Sequence, residues 1–497
     1  MRRRELLCTA VGTLILPAVT RRSAAQSAYE PLGRVPLDGA TEVVVSDDGR
    51  TAFLAATTGF GTVDLSDPGN PQVLAERRGL LADRENGPLQ DIRDATVAGD
   101  RLAVVGPANP NERINAMVLY DVSDPASPKR VAIHETDYAI HNAFLTDGRA
   151  YLSQFDGETV GMTIVDIGND NPERVGRWSI LDGPDWSEIP LSPATVHDIW
   201  VQSGTAYVAH WDAGTWLVDV RDPGEPTAIT RIGGLAPDEL ASLSGEALRR
   251  AQLVPPGNSH YVTVDDDAAV MGVGVESWAV EGEGGPGGIT LWDIESPREA
   301  EELATIDAPP TPAPSYDGLW TTAHNFELTN DRLYSSWYRG GVKIHDVSDP
   351  ANPEELAHWR RTEETSFWAS VLAVPGDFFV GCSWNQYGEL PQAYLYTFPD
   401  RASPVPNPAT AAATDRNAPA TRTGPNRSAT TNRDATTANG SAPGATGLTG
   451  GTETPLDGTN GGGGGSAGAG PGFGVPAALG GLGLVAWRYH RRGGESE

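Results

Sequence analysis

Lysine is almost missing from this chain: among 497 residues, only Lys129 and Lys343 supply it. Lys plus Arg total 36 against 66 Asp plus Glu, giving a formal charge of −30. Nucleic-acid binding depends on cationic side chains neutralising phosphates, so this balance excludes nucleic acid as a partner. Aromatic and β-branched residues are plentiful before residue 400, so the acidity is not that of a disordered chain. Cysteine is nearly as scarce. Cys8 falls in an apolar leader, which leaves Cys382 alone, with no intrachain disulfide to make and the character of a small buried hydrophobe. No long apolar run interrupts the interior, which excludes a membrane-embedded enzyme. A glycine-rich phosphate loop, a zinc-protease motif, a serine elbow and an EF-hand loop are all missing.

What the chain does have is one phrase, used six times. Val63-Asp64-Leu65-Ser66-Asp67-Pro68 returns as Tyr120-Asp121-Val122-Ser123-Asp124-Pro125, then around Asp166, Asp219 and Asp293, and last as His345-Asp346-Val347-Ser348-Asp349-Pro350. Self-similarity at intervals of about 45 to 75 residues marks a repeat architecture, in which stacked units bury the faces that one unit cannot. The unit from Ala139 to Ile180 shows four short β-rich runs separated by Gly, Asp and Pro, which predicts a four-stranded antiparallel meander. Tyr151, Tyr207 and Tyr334 share one place in its second strand, and Gly59 to Leu65, Gly214 to Val220 and Gly341 to Val347 are third strands.

These phrases resemble the LVIVD repeat, best in Trp216-Leu217-Val218-Asp219-Val220. The resemblance implies an all-β fold, a β-propeller. Six third strands and a seventh unit over 366–397 predict seven blades. The last blade lacks a fourth strand, and the segment Glu30 to Leu37 is free to supply it, closing the ring and covering its edges. Inserts are expected at 84–91, 233–257 and 281–287, with a short helix over Pro237 to Leu253.

The ends read as addresses. Residues 1–25 combine Arg2-Arg3-Arg4, an apolar stretch and small residues, the pattern of a signal peptide, and Arg3-Arg4-x-Leu6-Leu7 resembles a twin-arginine export signal. The propeller is expected over 29–400. A Thr, Pro and Gly-rich stalk follows over 401–470, with glycosylation sequons at Asn426 and Asn439. Residues 471–497 run from Pro471-Gly472-Phe473 through an apolar stretch to an arginine cluster, and resemble the PGF-CTERM sorting tail of haloarchaeal surface proteins. That resemblance implies export machinery and an archaeosortase as partners, with a C-terminal membrane anchor at the cell surface. A retained membrane helix is the alternative reading. An acidic surface with almost no lysine likewise resembles halophilic proteins, whose self-repulsion high salt screens.

His141, His197, His260 and His324 each stand ten residues before the same second-strand place, occupied by Tyr151, Tyr207, Val270 and Tyr334. In a propeller such positions converge on one end of the central channel. Neutral imidazoles gathered there suit one transition metal, Fe, Cu or Zn. The arrangement is similar in geometry to carotenoid oxygenases, which hold iron with four propeller histidines, although no oxygenase motif is present. The other reading is structural: each His shares its strand with apolar residues and could bond a neighbouring blade. Blades one, two and seven lack the His, and the second has Arg93-Asp94 instead. The functional expectation is an exported, anchored surface protein that presents a ligand- or protein-binding face. The alternative is a secreted metalloenzyme built on the four histidines.

Overall fold

The computed structural model describes residues 29–146 and 148–400. The leader, the stalk with Asn426 and Asn439, and the sorting tail lie outside the described residues. Seven four-stranded antiparallel sheets make up the domain. Six run in chain order over 40–78, 94–136, 143–178, 198–232, 259–306 and 326–359. The seventh takes Phe367–Val374, Phe378–Ser383 and Tyr394–Pro399, and is completed by Gly33–Pro36 from the other end of the chain. In that pairing Gly33 lies opposite Thr397 and Pro36 opposite Tyr394. Each innermost strand packs against those of both neighbouring blades, Ala40–Val45 against Phe367–Val374 included, so the wheel is closed. The fold is the seven-bladed propeller that the repeats predict.

The strands read as nearly continuous apolar runs because both faces are covered. In Thr51–Ala56, alternation sends Phe53 and Ala55 towards blade 2, and Ala52, Leu54 and Ala56 towards blade 7. The core is accordingly split into seven apolar clusters, one between each pair of neighbouring blades. Cys382 is fully buried in the cluster between blades 7 and 1. Between blades 5 and 6 the fit requires glycine: a Cβ on Gly272 would meet the Phe326 ring at 2.8 Å.

Two inserts differ from expectation. The segment after blade 4 forms two short helices, Pro237–Ser242 and Gly245–Ala251, rather than one. Leu243 and Ser244 are extended, and Ser244 occupies the N-cap position of the second helix, which restarts there. The 281–287 insert carries a small hairpin, Ala279–Val280 paired with Glu283–Gly284.

Candidate metal centre and aromatic pocket

The four recurrent histidines arrive at one place. Each enters the innermost strand of its blade at the same end, and the wheel carries them to the axis. Ring centroids are 4.2 Å apart for His141 and His197, 3.6 Å for His197 and His260, and 4.6 Å for His260 and His324. Blade 2 adds Arg93 and blade 7 adds Trp368 at the corresponding position.

Two of the rings, His141 and His324, are held in defined tautomers. His141 Nδ1–H donates to the Ala108 carbonyl at 2.9 Å, and His324 Nδ1–H to the Trp368 carbonyl at 2.6 Å. A carbonyl only accepts, so the proton sits on Nδ1 and the Nε2 lone pair stays bare. His324 Nε2 is buried with no hydrogen-bond partner, and so are both ring nitrogens of His260. Burial, reinforced by the neighbouring His260 imidazole, pushes His197 and His324 well below the usual histidine range. Burial lowers His141 to about 4, although its bond to Ala108 opposes this. At neutral pH these three rings are uncharged, the state a metal requires.

Sequence reasoning missed the carboxylate among them. Glu276, at the end of the second strand of blade 5, brings Oε2 to 3.3 Å from His260 Nδ1. Its other oxygen accepts the Tyr338 hydroxyl at 2.6 Å. His260, Glu276 and His324 each offer a ligand atom within 4.8 Å of the others. Among the described residues they are the one such His, Cys or carboxylate group, and the His197 ring lies against His260 with His141 next to it. Glu276 has no equivalent in the other blades, so periodicity gave no sign of it.

One residue beyond the histidine layer lies a set of buried acids and amides: Glu42, Asp94, Asn142, Asp198 and Asn325. Glu42 accepts the Asn325 amide and the Val43 N–H. Burial, and then the mutual proximity of these carboxyls, raises Glu42 to about 8 and Asp198 well above the usual range. Burial alone takes Asp94 to about 7.

Above the histidines opens a pocket of about 180 Å³. Trp211, Trp278, Trp320, Trp368 and Trp384 line it, together with Tyr316, Tyr338 and Tyr387. Trp200 packs instead on Phe144, and Trp337 is fully buried. Trp211, Tyr338 and Tyr387 have φ of 45°, 45° and 55°. For a large side chain that backbone is disfavoured by about 1–2 kcal/mol, a strain that clusters at functional sites. Leu253, from the insert after blade 4, adds to the wall and accepts the Trp278 amide through its carbonyl.

His210 bonds the Ala194 carbonyl and His358 the Gly340 carbonyl, and neither lines the pocket. Asp156 caps a turn by accepting the Glu158 and Thr159 amides. Asp212 is buried and accepts the Asn258 amide.

Residues 194–232, blade 4 with its lead-in, match the family model of the LVIVD repeat. The crystal structure of the Cps50 (Swd1) β-propeller domain of Myceliophteria thermophila is similar at 11% identity and a TM-score of 0.50, covering 75% of this chain and 100% of that one. A functionally unknown protein from Desulfotomaculum acetoxidans DSM 771 aligns at 12% identity and a TM-score of 0.43, over 65% of this chain and 85% of that one. At such identities the Cps50 likeness supports the propeller and says nothing of chemistry. No curated protein matches.

Proposed function

We propose that this chain is an exported, surface-anchored metalloenzyme that binds one transition-metal ion at the propeller axis and presents it to a small molecule in the aromatic pocket. The observation that carries this reading is the buried trio His260, Glu276 and His324, in which the Nε2 atoms of both imidazoles lack partners where a pocket opens. Leaving such atoms unpaired and dry costs about 1–3 kcal/mol each, which a bound cation would offset. Two imidazoles and a carboxylate form the donor set of non-haem iron and of catalytic zinc. Recruitment of His197 would make a site suited to copper. Bound there, the metal would supply Lewis-acid or redox chemistry, while Tyr338 orients Glu276 and the neighbouring rings exclude water.

Export and anchoring rest on the leader and the sorting tail, with export machinery, an archaeosortase and the membrane as partners. Intact-mass analysis of the mature protein tests this: a C-terminus retained through Glu497 would refute processing. The metal reading is tested by elemental analysis of the full chain purified in high salt and reconstituted with Fe(II), Cu(II) or Zn(II). About one equivalent of one metal per chain is expected, lost when His260→Ala and His324→Ala are combined. Metal-free protein after all three reconstitutions would leave a non-catalytic binding disc.

A further inference from the structure

The pocket also carries information about what enters it. We infer that its ligand is a single-ring aromatic carboxylate, bound with its ring among the tryptophans and its carboxylate on Arg93; this rests on the reading of the pocket as the substrate site. Three observations converge.

The first is size. A dry apolar cavity of about 150 Å³ accommodates benzene. The pocket here, about 180 Å³, leaves room for one ring and one small substituent. The second is the wall. Trp278, Trp320 and Tyr316 brace one another with centroids 4.9–5.1 Å apart, and Trp368 meets Trp384 at 4.9 Å. Rings locked in this way keep flat, rigid faces open to a flat ligand.

The third is charge. Arg93 reaches the pocket from blade 2 and is anchored through Nε to Asp91 at 2.8 Å. Asp91 is engaged in turn by Asn109. Arg93 Nη1 is buried and has no hydrogen-bond partner. The guanidinium carbon lies 5.3–5.6 Å from the rings of Trp368, Trp384 and Tyr387. An aromatic cage ordinarily invites an organic cation. Here a cation already belongs to the protein and would repel a second one. A carboxylate would instead satisfy the orphaned N–H with a charge-assisted bond.

Benzoate is the probe. The full chain is titrated in high salt, metal-stripped and metal-loaded, with binding followed by calorimetry and tryptophan fluorescence. Benzamide matches its shape without the charge, and phenyltrimethylammonium reverses the charge. Benzoate is expected to bind at least about 10-fold more tightly than either, with or without metal. Arg93→Met should weaken benzoate by about 10- to 100-fold, and Arg93→Lys should restore part of that loss. Near-UV circular dichroism checks that each variant is folded, and Trp320→Ala, expected to weaken benzoate as well, serves if Arg93→Met is not. Equal binding of benzamide, tighter binding of phenyltrimethylammonium, no saturation by benzoate, or benzoate affinity that follows the metal and ignores Arg93 would each overturn the inference. Arg93-dependent benzoate binding by a protein that takes up no metal would uphold the ligand class while refuting the metal centre.

Discussion

Asp64 accepts the Ser66 amide at 2.8 Å, and the same bond recurs from Asp121 to Ser123, Asp166 to Gly168, Asp219 to Arg221, Asp293 to Glu295 and Asp346 to Ser348. The second Asp of the phrase does likewise, Asp67 for Gly69 and Asp124 for Ala126. The phrase is therefore turn chemistry: a short carboxylate satisfies an N–H that the departing strand leaves free. The Ser66 amide holds Asp64 below the usual carboxylate range, and the hydroxyls of Ser123 and Ser348 do most to lower Asp121 and Asp346. A depressed carboxylate contributes stability above its unfolded pKa and loses it as pH falls through the folded one, so these turns weaken below pH 3.8. Asp346→Ala should cost about 1 kcal/mol, read as a lower denaturant midpoint, without changing metal content, because the turn is remote from the axis. A matching loss of metal would show the repeats and the centre to be coupled. Residue by residue, repetition marked both the turns of the scaffold and the histidines of the site. Arg93 was visible as an exception at the histidine register. Glu276 and Tyr338 were not, because they meet His260 and His324 only through the closed ring.

Two blades are also tied to their predecessors through turn carbonyls. The Pro125 carbonyl of blade 2 accepts the Thr62 hydroxyl of blade 1, and the Pro68 carbonyl accepts the Thr397 hydroxyl of blade 7. Strand number and punctuation were legible in the sequence because alternation and Asp-Pro turns are local; the paired helices after blade 4 and the hairpin in blade 5 were not, since docking over the pocket decides them. Contacts between inner strands add a titrating link. The Glu327 carboxylate accepts the Leu372 amide of the next blade, and burial raises it from 4.5 to about 7. Such a group keeps its proton in the fold and loses it when unfolded. Its contribution is thus complete below pH 4.5 and is lost as pH rises to about 7, with a slope on the order of 1.4 kcal/mol per pH unit. Glu327→Gln should flatten that part of the stability profile, measured by urea unfolding at several pH values. An unchanged slope would refute the assignment.

For the molecule as a whole, a charge of −30 places repulsion against compactness. The thermal midpoint should rise steadily from dilute buffer to molar KCl as screening takes hold, and a fall in molar salt would contradict the halophilic reading. The wheel also depends on its N-terminal strand. Tyr29 donates to the Pro399 carbonyl, the Thr397 hydroxyl accepts the Gly33 amide, and Glu30 meets both Trp359 and Arg361. Removing residues 29–37 should leave the edge of Tyr394–Pro399 bare, giving self-association by size-exclusion chromatography and a broadened melt. The two partners in this seam lie 364 positions apart. The first strand to leave the ribosome must therefore wait for nearly the last, and a half-synthesised chain has no way to finish the circle. For a chain exported as proposed, passage as a thread would postpone that final step until the far side of the membrane, whereas transport of the completed disc would let the circle close in the cytoplasm first.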